Sequence, residues 1–212
     1  MDRLEFIAIN DPEWAVMISE FLDKFPEFSK YRAIAPATRR AIPQNEEWIP
    51  KTLFETVIYY ACASAVRYEY AVEQYKVIIV FLRSSDWITL NSQFYNFLMS
   101  STITNKKKTL YWDIFHWMCQ KGITNKTLTV KQALAMKDDI KGLGDGYYSF
   151  IKGNFSEDDD CIEYTDINFR KGFMKVYGTD NLTIIKNKVK EYVELGFGRI
   201  ANGYMFQIYR YG

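Results

Sequence analysis

The sequence predicts a mainly α-helical protein of one domain, built as two closely packed helical lobes. Three observations predict it. Apolar residues recur at helical spacing: Leu53, Phe54, Val57, Ile58, Ala61 and Ala65 fall on one stripe, and Ala71, Val72, Tyr75, Ile78, Ile79 and Leu82 on a second. Helix start signals stand where such stripes begin, as at Asp11-Pro12 and at Thr129 with Gln132 three residues on. The 212 residues, 48% hydrophobic and 17% aromatic, are enough to bury a substantial core, and that composition excludes a disordered chain.

Taken in order, residues Arg3 to Ile9 alternate loosely and read as a short strand or extended lead-in. Asp11 is an N-cap with Pro12 in the first turn, and the helix it opens runs to about Lys24. Pro26, Pro36 and Pro43 punctuate Phe25 to Asn45, which reads as turns with at most one short helix; Arg39 and Arg40 there belong to a solvated surface or touch a phosphate. The two stripes after Pro50 form the hydrophobic centre of one lobe. Within the second, Lys76 to Leu82 also reads as a buried strand, because a short apolar run does not declare its period. Asp86 to Ser101, with Trp87, Phe94, Tyr95 and Phe97, is expected to be another short helix. Lys106, Lys107 and Lys108 cannot share one helix face, so a solvated turn is expected, with a DNA backbone as the functional alternative. Tyr111 to Met118 is the most aromatic segment. Ser156-Glu157-Asp158-Asp159-Asp160 lacks the interleaved spacing of a calcium loop and reads as a solvated turn. Leu182 to Leu195 is a basic helix, with Ile185, Val189 and Tyr192 inward, Lys186, Lys188 and Lys190 outward, and Gly196 at its end.

Bulk chemistry removes several function classes. A net charge of +1 offers no global electrostatic case for nucleic acid, so any DNA site must rely on local clustering. The three cysteines, Cys62, Cys119 and Cys161, are widely spaced, which writes neither a zinc knuckle nor a disulfide framework and points to a reducing compartment. His116 is the single histidine, so a metal site or acid/base pair that needs two is excluded. No apolar run reaches the length of a membrane span and the first residues carry no apolar leader, so a soluble intracellular protein is expected.

The chain is organised around residues 129–171. Thr129 and Gln132 form a capping box, and Val130, Leu134, Ala135 and Ile140 give the apolar stripe of the helix they open. Lys141-Gly142-Leu143-Gly144-Asp145-Gly146 follows. Two glycines around one apolar anchor let the backbone take φ > 0 on both sides, and the exposed N–H groups then stand at the start of the next helix, where an anion is favoured. A plain glycine C-cap between two packed helices has the same spelling. Asp166 comes twenty residues after Gly146 and opens a third helix marked by Phe169, Phe173, Val176 and Tyr177; as an isolated residue it reads as an N-cap.

This combination of Gly-apolar-Gly hairpin, helix, loop and helix-opening aspartate resembles the helix-hairpin-helix superfamily of DNA glycosylases. The likeness is greatest to monofunctional members such as bacterial 3-methyladenine DNA glycosylase II. It covers about residues 50–212 and is strongest over 129–173. Phe54-Glu55 matches a Phe-Glu helix of those enzymes, and Gly198-Arg199-Ile200-Ala201-Asn202 looks like the start of their last core helix. The resemblance implies a single glycosylase-like domain over 1–212, with the helix-hairpin-helix at about 129–155 and a cleft that Gly144 and Asp166 face. It implies a monomer on double-stranded DNA, away from membranes, working in the cytoplasm or nucleus without a cofactor. The one ion it allows is a monovalent cation at the hairpin.

Residue roles follow the same way. Gly142, Leu143, Gly144, Gly146 and Lys141 would bind the DNA phosphate, and Asp166 would stabilise the oxocarbenium-like state of N-glycosidic cleavage. A flipped base needs flat walls, for which Trp112, Phe115, Trp117, Tyr147 and Tyr148 are the candidates. Bifunctional members carry a nucleophilic lysine two residues past the hairpin's last glycine. Gly146 stands there, so a Schiff-base step is not expected, and Lys152 is left facing phosphate or solvent. The helix after the hairpin departs from the family pattern, with Tyr147 and Tyr148 where small residues are usual. Viral members resembling the superfamily modify thymine derivatives in DNA by amine or amino-acid transfer, which is the alternative reading; a non-catalytic DNA-binding module is the second.

Overall fold

Asp11 both ends one helix and begins another. Its N–H donates to the Ile7 carbonyl (2.7 Å), and its Oδ1 accepts from the Trp14 N–H. The computed structural model describes residues 3–41, 50, 52–64, 66–84, 90–155 and 160–212. Their regular structure is helical: α1 (Arg3–Asn10), α2 (Pro12–Lys24), two 3₁₀ segments (Pro26–Ile34 and Arg39–Ala41), α3 (Leu53–Ala63), α4 (Tyr68–Ser84), α5 (Leu90–Ser100), α6 (Asn105–Gln120), α7 (Val130–Asp139), α8 (Asp145–Phe155), α9 (Ile167–Tyr177), α10 (Leu182–Glu194) and α11 (Gly198–Tyr211). The mainly α class holds among the described residues.

Several expectations are corrected. The extended lead-in is α1, because Leu4 and Ile7, one turn apart, are both buried. Phe25 to Asn45 holds two 3₁₀ segments where at most one short helix is expected, the first with Pro26 in its first turn and Phe28 buried. The Lys76–Leu82 run, by contrast, is helix as the second stripe implies and not the rival strand, since Val77 and Val80 stand outside while Ile78, Ile79 and Leu82 are buried, which is a helical rather than alternating pattern. The stripe of α7 is also reassigned. Ala133, Met136 and Ile140 are buried, whereas Ala135 is exposed and Leu134 only half-buried. Ala65, Trp87 and residues 156–159 of the acidic run lie outside the described residues.

The chain divides into two compact units, residues 1–49 with 152–212 and residues 50–151. In the first, the terminal unit, Phe21, Phe28, Phe169, Phe173, Tyr192 and Tyr204 are fully buried, and Phe21 stacks on Tyr204 with ring centroids 5.5 Å apart. Helices α9 and α11 cross at Gly172, where a Cβ would stand 2.1 Å from the Met205 carbonyl oxygen, so only hydrogen fits. In the second, the middle unit, α3 is capped by Thr52, whose Oγ1 accepts from the Glu55 N–H (3.2 Å). Every residue of the second stripe is buried, as are Phe54, Val57, Ile58 and Ala61 of the first. Glu55 is buried too, and its carboxylate accepts from the buried Tyr75 hydroxyl (3.2 Å) and from the Arg83 guanidinium (Nε, 3.0 Å), whose side chain is half exposed, so the buried carboxylate is paired with a cation at the surface. Helix α8 begins in the middle unit and ends in the terminal one.

Candidate functional site

The hairpin is built from α7 upward. The capping box is present as expected, with Gln132 N–H on Thr129 Oγ1 (3.3 Å) and Thr129 N–H on Gln132 Oε1 (2.9 Å). At the other end the Ile140 N–H reaches the Met136 carbonyl (2.8 Å), and the chain then reverses at Gly142, whose φ of +110° is open to glycine. Leu143 is buried in the middle unit's core and pins the turn. Gly144 accepts from the Tyr147 N–H (3.0 Å) and so starts α8.

One expectation fails here, because only Gly142 of the two flanking glycines has positive φ. What distinguishes Gly144 is space: a Cβ there meets nothing within 4 Å, whereas one on Gly142 would stand 3.5 Å from Leu110 Cδ1. The N–H groups of Gly142, Gly144 and Gly146 have no hydrogen-bond partner among the described residues. Three donors and the positive end of α8 thus lie in one short stretch, with Lys141 exposed beside it.

Three of the five aromatic pocket candidates are taken by packing. Phe115 and Tyr147 are fully buried in the middle core, and the Tyr147 hydroxyl donates to the Ala133 carbonyl (2.8 Å), where burial raises its pKa. Trp117 is buried with its indole N–H on Asp139 Oδ2 (2.7 Å). These rings hold α6, α7 and α8 together rather than lining a pocket. Trp112 is half-buried, edge-on to Tyr95 and stacked on the exposed His116 ring (5.8 Å, 17°), whose Nε2 lies 2.8 Å from Gln120 Nε2. Tyr148 stands at the surface.

The rings that lie against the hairpin's helix instead come from α3. Tyr60 packs on Tyr147 and Phe150, and a Cβ on Gly146 would be 3.3 Å from its hydroxyl. Reading α3 as one apolar stripe puts Tyr59 and Tyr60 on its flank, and no sequence signal pairs that flank with α8.

The lysine run is also reassigned. It forms the first turn of α6, not a solvated loop. Lys107 Nζ donates to the carbonyls of Ala61 (2.5 Å), Cys62 (3.3 Å) and Ser64 (2.6 Å) at the end of α3, and Lys108 Nζ donates to Met99 O (3.2 Å) at the end of α5. Only Lys106 is left exposed.

In the terminal unit Asp166 is the N-cap of α9. Its Oδ1 accepts from the Asn168 N–H (2.7 Å) and the Phe169 N–H (3.1 Å), while no described residue donates to Oδ2. The side chain is half-buried. The carboxylate therefore has one oxygen held by the helix and one available. Asp166 belongs to the terminal unit, and the hairpin with all five aromatic candidates to the middle one.

Among the described residues no group of side chains is arranged to hold a metal ion, no helix is long and apolar enough to cross a membrane, and all three cysteines are free thiols. Comparison of the chain with family models, curated proteins and solved structures finds no match.

Proposed function

We propose that the protein binds double-stranded DNA and cleaves the N-glycosidic bond of a displaced, modified or damaged base as a monofunctional glycosylase of the helix-hairpin-helix kind. The observation that carries this reading is the divided carboxylate of Asp166, fixed through Oδ1 and open at Oδ2. A carboxylate held by its own helix needs no reorganisation when positive charge develops on the sugar, and that is the condition for electrostatic stabilisation. In the reaction the C1′–N bond breaks with its electron pair passing to the base, which takes up a proton. Water bonds to C1′ and gives its proton to Asp166 or solvent. The unbonded N–H groups at Gly142, Gly144 and Gly146 are the proposed phosphate grip. Gly146 supplies no amine, in keeping with hydrolysis rather than a Schiff-base step.

The test is formation of abasic sites in duplexes that each carry one damaged or hypermodified base, with wild type and Asp166→Asn. Asparagine caps about as well as aspartate, so stability should hold while base release falls by roughly two to three orders of magnitude. Intact release in Asp166→Asn would refute the catalytic role. A wild type that leaves the glycosidic bond whole but changes the mass of a base in DNA would replace hydrolysis by base modification.

A further inference from the structure

Helices α1 and α2, joined at Asp11, leave a groove of ≈ 460 Å³ on the surface of the terminal unit. Leu4 and Ala15 are buried at its floor, and Val16 stands 57% exposed beside them. Glu20 and Asp23, one and two turns farther along α2, also line it, and no described residue forms a hydrogen bond or ion pair with either carboxylate. Glu5 and Arg32 line the groove too but already have partners, so its unpaired charge is negative. The outer face of α10 carries the matching order. Leu182, 46% exposed, is followed one turn later by Lys186 and after a second turn by Lys190, while Ile185 and Tyr192 on the inner side are spent on the core. No described residue pairs with Lys186, and Lys190 has an exposed pair with Glu194 (3.5 Å), which is worth little in water. Two helices laid side by side and parallel share one rise per residue, which sets Val16 against Leu182, Glu20 against Lys186 and Asp23 beside Lys190. An antiparallel arrangement would set lysine against valine and leucine against the carboxylates.

We propose that the α1–α2 groove receives α10 of a second copy of this chain, in the parallel register that puts Leu182 on Val16 and Lys186 on Glu20. Both faces are exposed within one copy, so the contact belongs between copies. Its two sides are different surfaces, which makes it heterologous, and copies therefore add head to tail into a ring or a string. The inference is independent of the DNA reading above.

The experiment is sedimentation of the full chain without DNA at low salt, from about 10 μM to about 1 mM, the range of a small polar interface. The average mass of wild type should rise with concentration, and the rise should shrink in about 0.5 M salt, where exposed charges are screened. Two charge-reversed variants follow, one carrying Glu20→Lys with Asp23→Lys and the other Lys186→Glu with Lys190→Glu. Each alone should self-associate at least about tenfold more weakly, because like charges then face each other. Mixed in equal amounts they should associate again, since each reversed face meets its complement on the other variant. Where a reversed variant does not fold, Lys186→Ala decides instead and should weaken association severalfold. A wild type that stays monomeric throughout overturns the proposal and leaves the groove to a different partner. Folded variants that associate as wild type does, or a mixture no stronger than its components, also overturn it.

Discussion

At the residue scale the two hairpin glycines do different work, and substitution separates them. Gly142 needs its positive φ, so Gly142→Val should cost about 1–3 kcal/mol of stability, read as a fall in the denaturation midpoint. Gly144 has neither positive φ nor a neighbour within 4 Å of a Cβ. Gly144→Ala should therefore change stability by less than about 0.5 kcal/mol, yet weaken duplex binding, because the methyl group occupies the side from which a phosphate would approach. Unchanged affinity in that variant would leave the hairpin a helix connection and nothing more. Gly172 is the opposite case. A Cβ at 2.1 Å from a backbone carbonyl cannot be relieved by a side-chain rotation, so Gly172→Ala should cost about 3 kcal/mol and force α9 away from α11.

At the element scale the lysine run shows how a charge cluster is divided among structural tasks. Consecutive positions on α6 point in three directions, and two of them meet the carbonyl ends of α3 and α5, where an ammonium group satisfies acceptors left open by the helix. Lys107→Met removes a charged donor from three carbonyls and should cost about 2 kcal/mol, seen as a lower urea midpoint with duplex affinity unchanged. Lys106 is the member of the run free for solution chemistry. If it contacts a phosphate, Lys106→Ala lowers the salt slope of duplex binding by about one, and an unchanged slope excludes that contact.

Across the whole molecule, buried phenols and a buried thiol set the alkaline limit. Burial pushes the Cys62 thiol from an ordinary value of 9.0 up to about 12. It also raises Tyr75, Tyr111, Tyr147, Tyr177 and Tyr192 above their ordinary 10.0. A group with a raised folded-state pKa keeps its proton in the folded state after the unfolded chain has lost it. Its contribution is therefore whole below about pH 9 and falls as pH rises from there toward 12. Lys107, lowered by burial, acts in the opposite sense. The urea midpoint should thus stay level through neutral pH and drop steeply above about pH 9. Cys62 should resist alkylation at pH 8 until the protein is unfolded.

What the sequence determined by itself was local: the helical class, the caps at Asp11, Thr129 and Asp166, the burial of the Ala71–Leu82 stripe, and a glycine turn pinned by Leu143. Caps and periodicity involve residues within a few positions of one another, so their chemistry is written in order along the chain. Tertiary structure alone decided which aromatics are spent on the core, which lysines are caps, and which ring borders the hairpin's helix. Those outcomes depend on partners far away in sequence: Lys107 finds Ala61 on another helix, and Tyr60 comes to lie against Gly146. A tyrosine or lysine offers the same side chain to a core, a carbonyl or a ligand, and the choice among them is made by whichever helix packs beside it.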